Sequence, residues 1–383
     1  MRVLAFIRQR SFARYVAFDM AEAARRMGWS VDWLDLDGER QHIHGLPDEA
    51  RAEACEALRR RVSALGPDLV FSYGLEAFAD VCGDLAPASR WSVADVAGVP
   101  IACFLFDFGY PFDGATTAGA ANLIARLRAP DVGLWCWDEA ATADLARHGL
   151  PAAWFPMAVN DHMFTPPASG ATRDLPVVFS GGPTPERLAA LERLAPCGVS
   201  IYGYGDDAWR ASDVLRDAHR GVVVERTALR DVYRRARVAV NVTRPHGRAS
   251  LNMRVFEAMA CGCVVVTDRP DAAARLFTPD VELVTYTSLD ELDARVRQLL
   301  AHDEHRARIA EAGAVAVATR HTYALRVASI AADLRALMIE GRAWRRYLAF
   351  RADDPDKAAR FVDTLHAQGL LRRLDVWPAQ RGA

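Results

Sequence analysis

Lysine is nearly missing from this 383-residue chain. Of its 47 basic residues only Lys357 is a lysine. Any phosphate contact in the body of the protein therefore has to come from arginine, histidine, hydroxyls or backbone N–H groups. An excess of charge is missing too. The net charge of -2 offers no basic surface for nucleic acid or for an anionic membrane. No apolar run reaches the roughly 18 residues that would suggest a membrane span. The N-terminal "MRVLAFIRQR" has no long apolar h-region and enters a strand pattern directly, unlike a signal peptide. The seven cysteines, Cys55, Cys82, Cys103, Cys136, Cys197, Cys261 and Cys263, are odd in number and scattered through apolar runs, which suits reduced thiols in a cytoplasmic protein. Cys261 and Cys263 have the wrong spacing for a zinc pair and no Cys/His cluster to join, so no metal is expected. No G-x-G-x-x-G follows the first strand pattern, which argues against a dinucleotide oxidoreductase.

What is present is a globular composition, 51% hydrophobic, in a chain too long for one ordinary core. Continuous apolar strand patterns alternate with amphipathic helices. Strands are expected at 2–7, 30–36, 67–74, 99–107 and 131–137, with helices at 15–28, 48–65 and 138–148. A proline-rich stretch interrupts the pattern, and alternation restarts with strands at 176–182, 199–205, 221–226, 238–243, 263–268 and 281–286. The helices of this second half are expected at 184–195, 228–236, 252–260, 288–301 and 303–318. Buried strands between helices imply parallel sheets covered on both faces. The expected fold class is α/β: two Rossmann-like doubly wound domains facing a cleft, with a helical C-terminal tail. The expected boundaries are 1–158 for the N-terminal domain, 159–175 for a linker, 176–330 for the C-terminal domain and 331–383 for the tail, which is free to pack back on the N-terminal domain. In such sheets ligands bind outside the carboxyl ends of the strands.

The stretch "LNMRVFEAMACGCVVVTD" (251–268) concentrates the chemistry. At 3.6 residues per turn, Val255, Phe256, Met259 and Ala260 share a core face, and Arg254 and Glu257 share the opposite one. Ser250 or Asn252 is a plausible N-cap. Free N–H groups at the helix start, with Arg254, make a seat for a diphosphate. Glu257, one turn on, is placed to accept both hydroxyls of a ribose. An Arg254–Glu257 surface ion pair is the plainer reading of the same two residues.

The same stretch resembles the donor-binding segment of GT-B glycosyltransferases, in particular the CgeB-like group related to glycosyl transferases group 1. Other segments resemble the family in the expected order: "WFPMAVNDHMFTP" (154–166), "VVFSGGPTPERLAAL" (177–191), "IYGYGDD" (201–207), "LRDVYRRARVAVNVT" (229–243) and the helical run 289–327. The resemblance covers about 150–330, and the N-terminal half matches in pattern only.

The resemblance implies a glycosyltransferase that moves a sugar from a nucleoside-diphosphate sugar, UDP-sugars favoured, to a small-molecule, glycan or protein acceptor. It implies no cofactor, the nucleotide sugar being a substrate, no metal, no nucleic-acid partner and no transmembrane segment. The implied donor site is Gly181, Gly182, Tyr204, Arg244, Ser250, Asn252, Arg254 and Glu257. Tyr202 and the loop 224–227 are further candidates for the base pocket. For the two glycines a plain tight turn remains open, for the tyrosines a core role, and for Arg244, His246 and Arg248 a solvated basic loop. Asp107 and His246 are the catalytic candidates, with Asp19 a further possible base; an inverting transfer needs a base for the acceptor hydroxyl. A structural acid capping a loop is the other reading of Asp107. The chain departs from the family pattern in two places. Ala249 stands where many retaining relatives carry the first glutamate of E-x7-E, and "SGGPTPER" lacks the usual Arg/Lys pair. No Asp-x-Asp motif marks a metal-dependent site. The missing acid leaves open a catalytically inactive nucleotide-binding partner subunit, and the fold leaves open a nucleotide-sugar epimerase.

Overall fold

The computed structural model describes residues 2–7, 13–73, 101–105, 132–147, 149–150, 152–223, 225–244, 249–337 and 354–367. The chain divides into two compact units, Met1–Pro156 with Arg326–Ala383, and Met157–Leu325. Both are α/β, each with an all-parallel sheet and flanking helices, as the strand patterns imply.

The first unit begins with β1 (Arg2–Ile7), α1 (Ala13–Arg26), β2 (Ser30–Asp35), α2 (Leu36–His44), α3 (Asp48–Leu65) and β3 (Leu69–Tyr73). It continues with β4 (Ile101–Leu105), β5 (Val132–Cys136), α4 (Glu139–Arg147) and β6 (Ala153–Trp154). The sheet order is β2-β1-β3-β4-β5-β6. Residues 3–7 of β1 and all of β4 are buried, whereas the edge strand β2 alternates between covered and open positions. Asp35 and Asp37 do form an Asp-x-Asp pair, but a structural one: Asp35 accepts from the Asp37 N–H at 3.1 Å and caps α2. Asp19 lies on α1 and is 2% exposed.

The second unit holds β7 (Leu175–Ser180), α5 (Pro185–Leu194), β8 (Val199–Tyr202), α6 (Asp206–Ala211), α7 (Arg226–Arg235), β9 (Ala236–Asn241), α8 (Met253–Ala260) and β10 (Val264–Thr267). After these come α9 (Pro270–Leu276), β11 (Val284–Thr285), α10 (Leu289–Ala301) and α11 (Asp303–Arg320). Helix α12 (Tyr323–Leu337) leads back to the first unit, where α13 (Pro355–Ala367) follows. The sheet order is β11-β10-β9-β7-β8. Strand order therefore reverses between β7 and β9, and their carboxyl ends diverge there, the place where open parallel sheets bind ligands. The core below includes Phe179, Trp209, Val238, Val264, Leu292 and Val296.

Two elements differ from the expectation. The described residues of "GVVVER" (221–226), all but 224, form no strand. Ala218 O accepts from Ile201 N and Arg220 N donates to Ile201 O, but Gly221, at φ 102°, then turns the chain away from the edge of β8, and α7 starts at Arg226. The strand expected over 281–286 shrinks to two residues.

The segment expected to join the domains, 159–175, is bonded to the second unit. Phe164 is buried, and Arg234 Nε donates to Thr165 O at 2.9 Å. Arg173 donates to Tyr233 O (3.3 Å), Ala236 O (2.5 Å) and Cys261 O (2.8 Å), bridging the carboxyl ends of α7 and α8. The nearby Cys261 and Cys263 are buried free thiols. Burial, as the main cause, raises both above the ordinary thiol value, Cys263 to about 12. Among the described residues no His, Cys, Asp and Glu gather as a metal site, and no helix is long and apolar enough to cross a membrane.

Arg173→Met removes three hydrogen bonds that bridge the carboxyl ends of the two helices. It is expected to lower the unfolding free energy by about 2–3 kcal/mol, measured by urea denaturation; a midpoint unchanged from wild type would remove the clamp from this account.

Candidate functional site

Two turns interlock where β7 and β8 end. Gly181 N donates to Tyr202 O at 3.1 Å, and Gly203 N donates to Gly221 O at 3.0 Å. A Cβ at Gly203 would lie 1.8 Å from Gly181 O, so only glycine fits this crossing. At Gly182 a Cβ would lie 2.4 Å from the Tyr204 ring, which rests against that backbone. Gly181 has φ 151°, and its α-carbon faces Arg254, whose Nη1 lies 2.8 Å from where a Cβ would sit.

Three arginines gather around this turn. Arg187 is fully buried on α5; Nε donates to Val242 O at 2.9 Å and Nη1 to Gly182 O at 2.8 Å, above the Phe179 ring. Its Nη2 has no hydrogen-bond partner among the described residues. Burial, then the charges of Arg254 and Arg244, push its pKa down to about 9, while Tyr204 and Asp268 pull the other way. Arg244 is half-buried and hydrogen-bonds the hydroxyl of the exposed Tyr204. Arg254 is held below the ordinary guanidinium value, first by desolvation; Tyr233 and Glu257 oppose the shift, and Arg244 adds to it. Asp268, the carboxylate beside this group, accepts from Thr243 N and from Thr243 Oγ1, the latter at 2.8 Å. Like charges this close repel, and a bound polyanion would relieve the repulsion.

Helix α8 rises from the same place. Asn252 is its N-cap, its Oδ1 accepting from Arg254 N at 3.1 Å and Arg254 Nε at 3.2 Å. Its Nδ2 donates to Asn241 Oδ1 at 2.7 Å, tying the helix start to the end of β9. Asn241 in turn donates to Thr243 Oγ1 and Thr267 Oγ1. One turn up, Glu257 is 2% exposed and accepts from Arg226 Nη2 at 3.0 Å. The surface pair between Arg254 and Glu257 is therefore not formed: Glu257 faces the packed interface with α7, and Arg254 turns back to Asn252.

Gly181, Gly182, Tyr204, Arg244, Asn252 and Arg254 thus come together around the diverging strands. Ser250 lies two residues before the cap and is buried; Glu257 sits deeper in the same helix. Tyr202 ends β8, half-buried. Asp107, His246 and Arg248 lie outside the described residues. Arg187 was missed, and Arg226 was reached only as one member of the loop 224–227 expected at the base pocket. The signal for Arg187 was helical spacing: it shares a face with Leu191 and Leu194, both buried, so a cation sits on the apolar side of α5. Arg226 stands in the same way seven residues before the buried Tyr233 on α7.

A family model described as glycosyl transferase-like matches residues 186–332. This part of the chain is similar to glycosyl transferase-like domains. No curated protein matches the chain in sequence. Among solved structures, sucrose-phosphate synthase from Thermosynechococcus elongatus is 15% identical, with a TM-score of 0.62 over 88% of this chain and 99% of that one. Anabaena HepE, solved with UDP-glucose, is 16% identical, with a TM-score of 0.63 over 87% and 99%. T4 phage BGT, solved with UDP and Mn2+, is 12% identical, with a TM-score of 0.52 over 86% and 98%. These likenesses establish the fold as that of the GT-B glycosyltransferases, and the stretch that the family model matches includes both α7 and α8.

Asn252→Ala loses the cap of α8 and its bond to Asn241. The expected cost is about 1–2 kcal/mol. Asn252→Asp should recover only part of it, because a carboxylate keeps the cap but faces Asn241 Oδ1 without a proton to donate. Equal chemical-denaturation midpoints for wild type and Asn252→Ala would contradict the cap.

Proposed function

We propose that the protein is a glycosyltransferase that moves a sugar from a nucleoside-diphosphate sugar, a UDP-sugar first among candidates, to an acceptor. The observation that carries this reading is the convergence of Arg187, Arg244 and Arg254 on the glycine turn between β7 and β9. Its charge and the position of its arginines in the stretch similar to glycosyl transferase-like domains suit the diphosphate of a donor. Sugar transfer leaves negative charge on the departing diphosphate, and fixed guanidinium groups with the N–H groups of α8 stabilise that charge as it develops. A metal is not required in this reading, because the arginines supply the positive charge. The UDP-glucose in the HepE structure and the UDP in the phage BGT structure support uridine as the nucleoside.

Within this proposal Glu257 accepts from the ribose hydroxyls and Tyr204 borders the donor pocket. Asp107 or His246 is the base for the acceptor hydroxyl. The protein acts as a cytoplasmic enzyme on an acceptor that is a small molecule, a glycan or a protein. Ala249, eight positions before Glu257, favours one second reading: a donor-binding subunit that does not itself transfer sugar.

A panel of UDP, GDP, dTDP and CMP in thermal-shift titrations tests the site. UDP is expected to raise the melting temperature most, and less so as salt increases. If no nucleotide shifts it, the donor-site reading fails. Release of UDP from matching UDP-sugars then separates the enzyme from the subunit reading, since a protein that binds UDP but never turns over a sugar supports the latter.

Arg244→Met and Arg254→Met should each weaken UDP by roughly 10- to 100-fold, the loss of a charged hydrogen bond, and leave uridine binding unchanged. Equal losses for uridine and UDP in calorimetric titrations would remove the arginines from the phosphate.

A further inference from the structure

We infer that Arg226 is a positioning residue for donor recognition: it holds the carboxylate of Glu257 ionised and oriented for the ribose diol. This rests on the proposed donor site and gives one residue of the candidate loop 224–227 a specific task there. Arg226 is the first residue of α7, after Glu225, whose side chain makes no capping bond. A cation at that position is opposed by the positive end of the helix dipole, so the helix itself does not explain it. Its guanidinium lies 5.0 Å from the centroid of the Phe164 ring, and Nη2 donates to Glu257 Oε1 at 3.0 Å. The Arg226 and Glu257 side chains are only 12% and 3% exposed. Phe164 is itself 1% exposed and provides a fixed plate under the guanidinium. Arg226 and Tyr233 are two helical turns apart on α7, and Tyr233 lies close enough to Glu257 for the carboxylate to help raise its pKa after burial.

A carboxylate so far from water needs a cation or hydrogen-bond donors to stay ionised. The ionised form presents two equivalent acceptor oxygens to two vicinal hydroxyls; the protonated form turns one oxygen into a donor and accepts more weakly. Arg226, braced on Phe164, fixes both the charge and the direction of the acid. A buried ion pair is a poor way to gain stability compared with apolar packing, which makes a role in recognition the better account of this one.

The test compares UDP with 2′-deoxy-UDP by calorimetric titration of the full chain. Wild type should bind UDP roughly 10- to 100-fold more tightly than the deoxy ligand, the value of a hydrogen bond to a charged group. Arg226→Met and Glu257→Gln should each bring that ratio to about one, the double variant should lose nothing more, and Arg226→Lys should restore part of it. Circular dichroism checks folding, and Arg226→Gln, which keeps a planar donor, carries the comparison if Arg226→Met does not fold. A folded Arg226 variant without the charge that keeps the wild-type ratio overturns the inference. A wild type that binds UDP with no ribose preference also overturns it but leaves the diphosphate site standing; a wild type that binds no nucleotide removes both.

Discussion

Like charges repel, yet the second unit holds Arg187, Arg244 and Arg254 where β7 and β9 part. The protein tolerates this because each guanidinium is tied to something rigid. Arg187 is bonded to the backbone of Gly182 and Val242, Arg254 to the cap of α8 and Arg244 to the Tyr204 hydroxyl. Burial first, and then this repulsion, lower the pKa of Arg187, and an anion bound in the proposed donor site would relieve both. The near absence of lysine leaves this work to arginine, whose planar fork can bond backbone carbonyls and still present charge.

The glycines serve the same end. Gly203 lets the turn after β8 cross that after β7 at backbone contact, and Gly181 leaves room for Arg254. Asn252 links the start of α8 to the end of β9 through Asn241, so strand end, loop and helix keep one geometry. The start of α8 and the Arg254 side chain are thereby held beside the turn, a preorganisation that would suit charge appearing in the transition state of the proposed reaction.

Glu257 extends the arrangement away from the turn. Two helices with buried interfaces, α7 and α8, meet along Arg226, Tyr233 and Glu257. The clamp of Arg173 on their carboxyl ends keeps them together. A residue of the segment after the domain boundary, Phe164, supports the pair from below. That segment thus helps to build the second unit as well as joining it to the first.

Much of this was legible in the amino-acid order. The strands and helices follow from apolar period and length, and the two α/β units follow from their alternation. The wheel of 252–260 picked out Val255, Phe256, Met259 and Ala260 as core, although Glu257, Ala258 and Cys261 on the opposite face are buried too, and the glycine turns marked the strand ends. What the order could not decide was partnership. Arg254 and Glu257 are neighbours on one helix, and spacing alone pairs them; packing of α7 against α8 gave Glu257 to Arg226, thirty-one positions away. Arg187 drew no reading from the sequence, and tertiary structure buried it against Gly182. "GVVVER" read as a strand because propensity is local, while a strand also needs a neighbour along its length, and Gly221 turns the chain away from one. The sequence by itself determined the elements and which strand ends carry polar turns, because period and turn chemistry act over a few residues. Only the tertiary structure decided which charges meet, because burial and Coulomb interaction depend on distance in space.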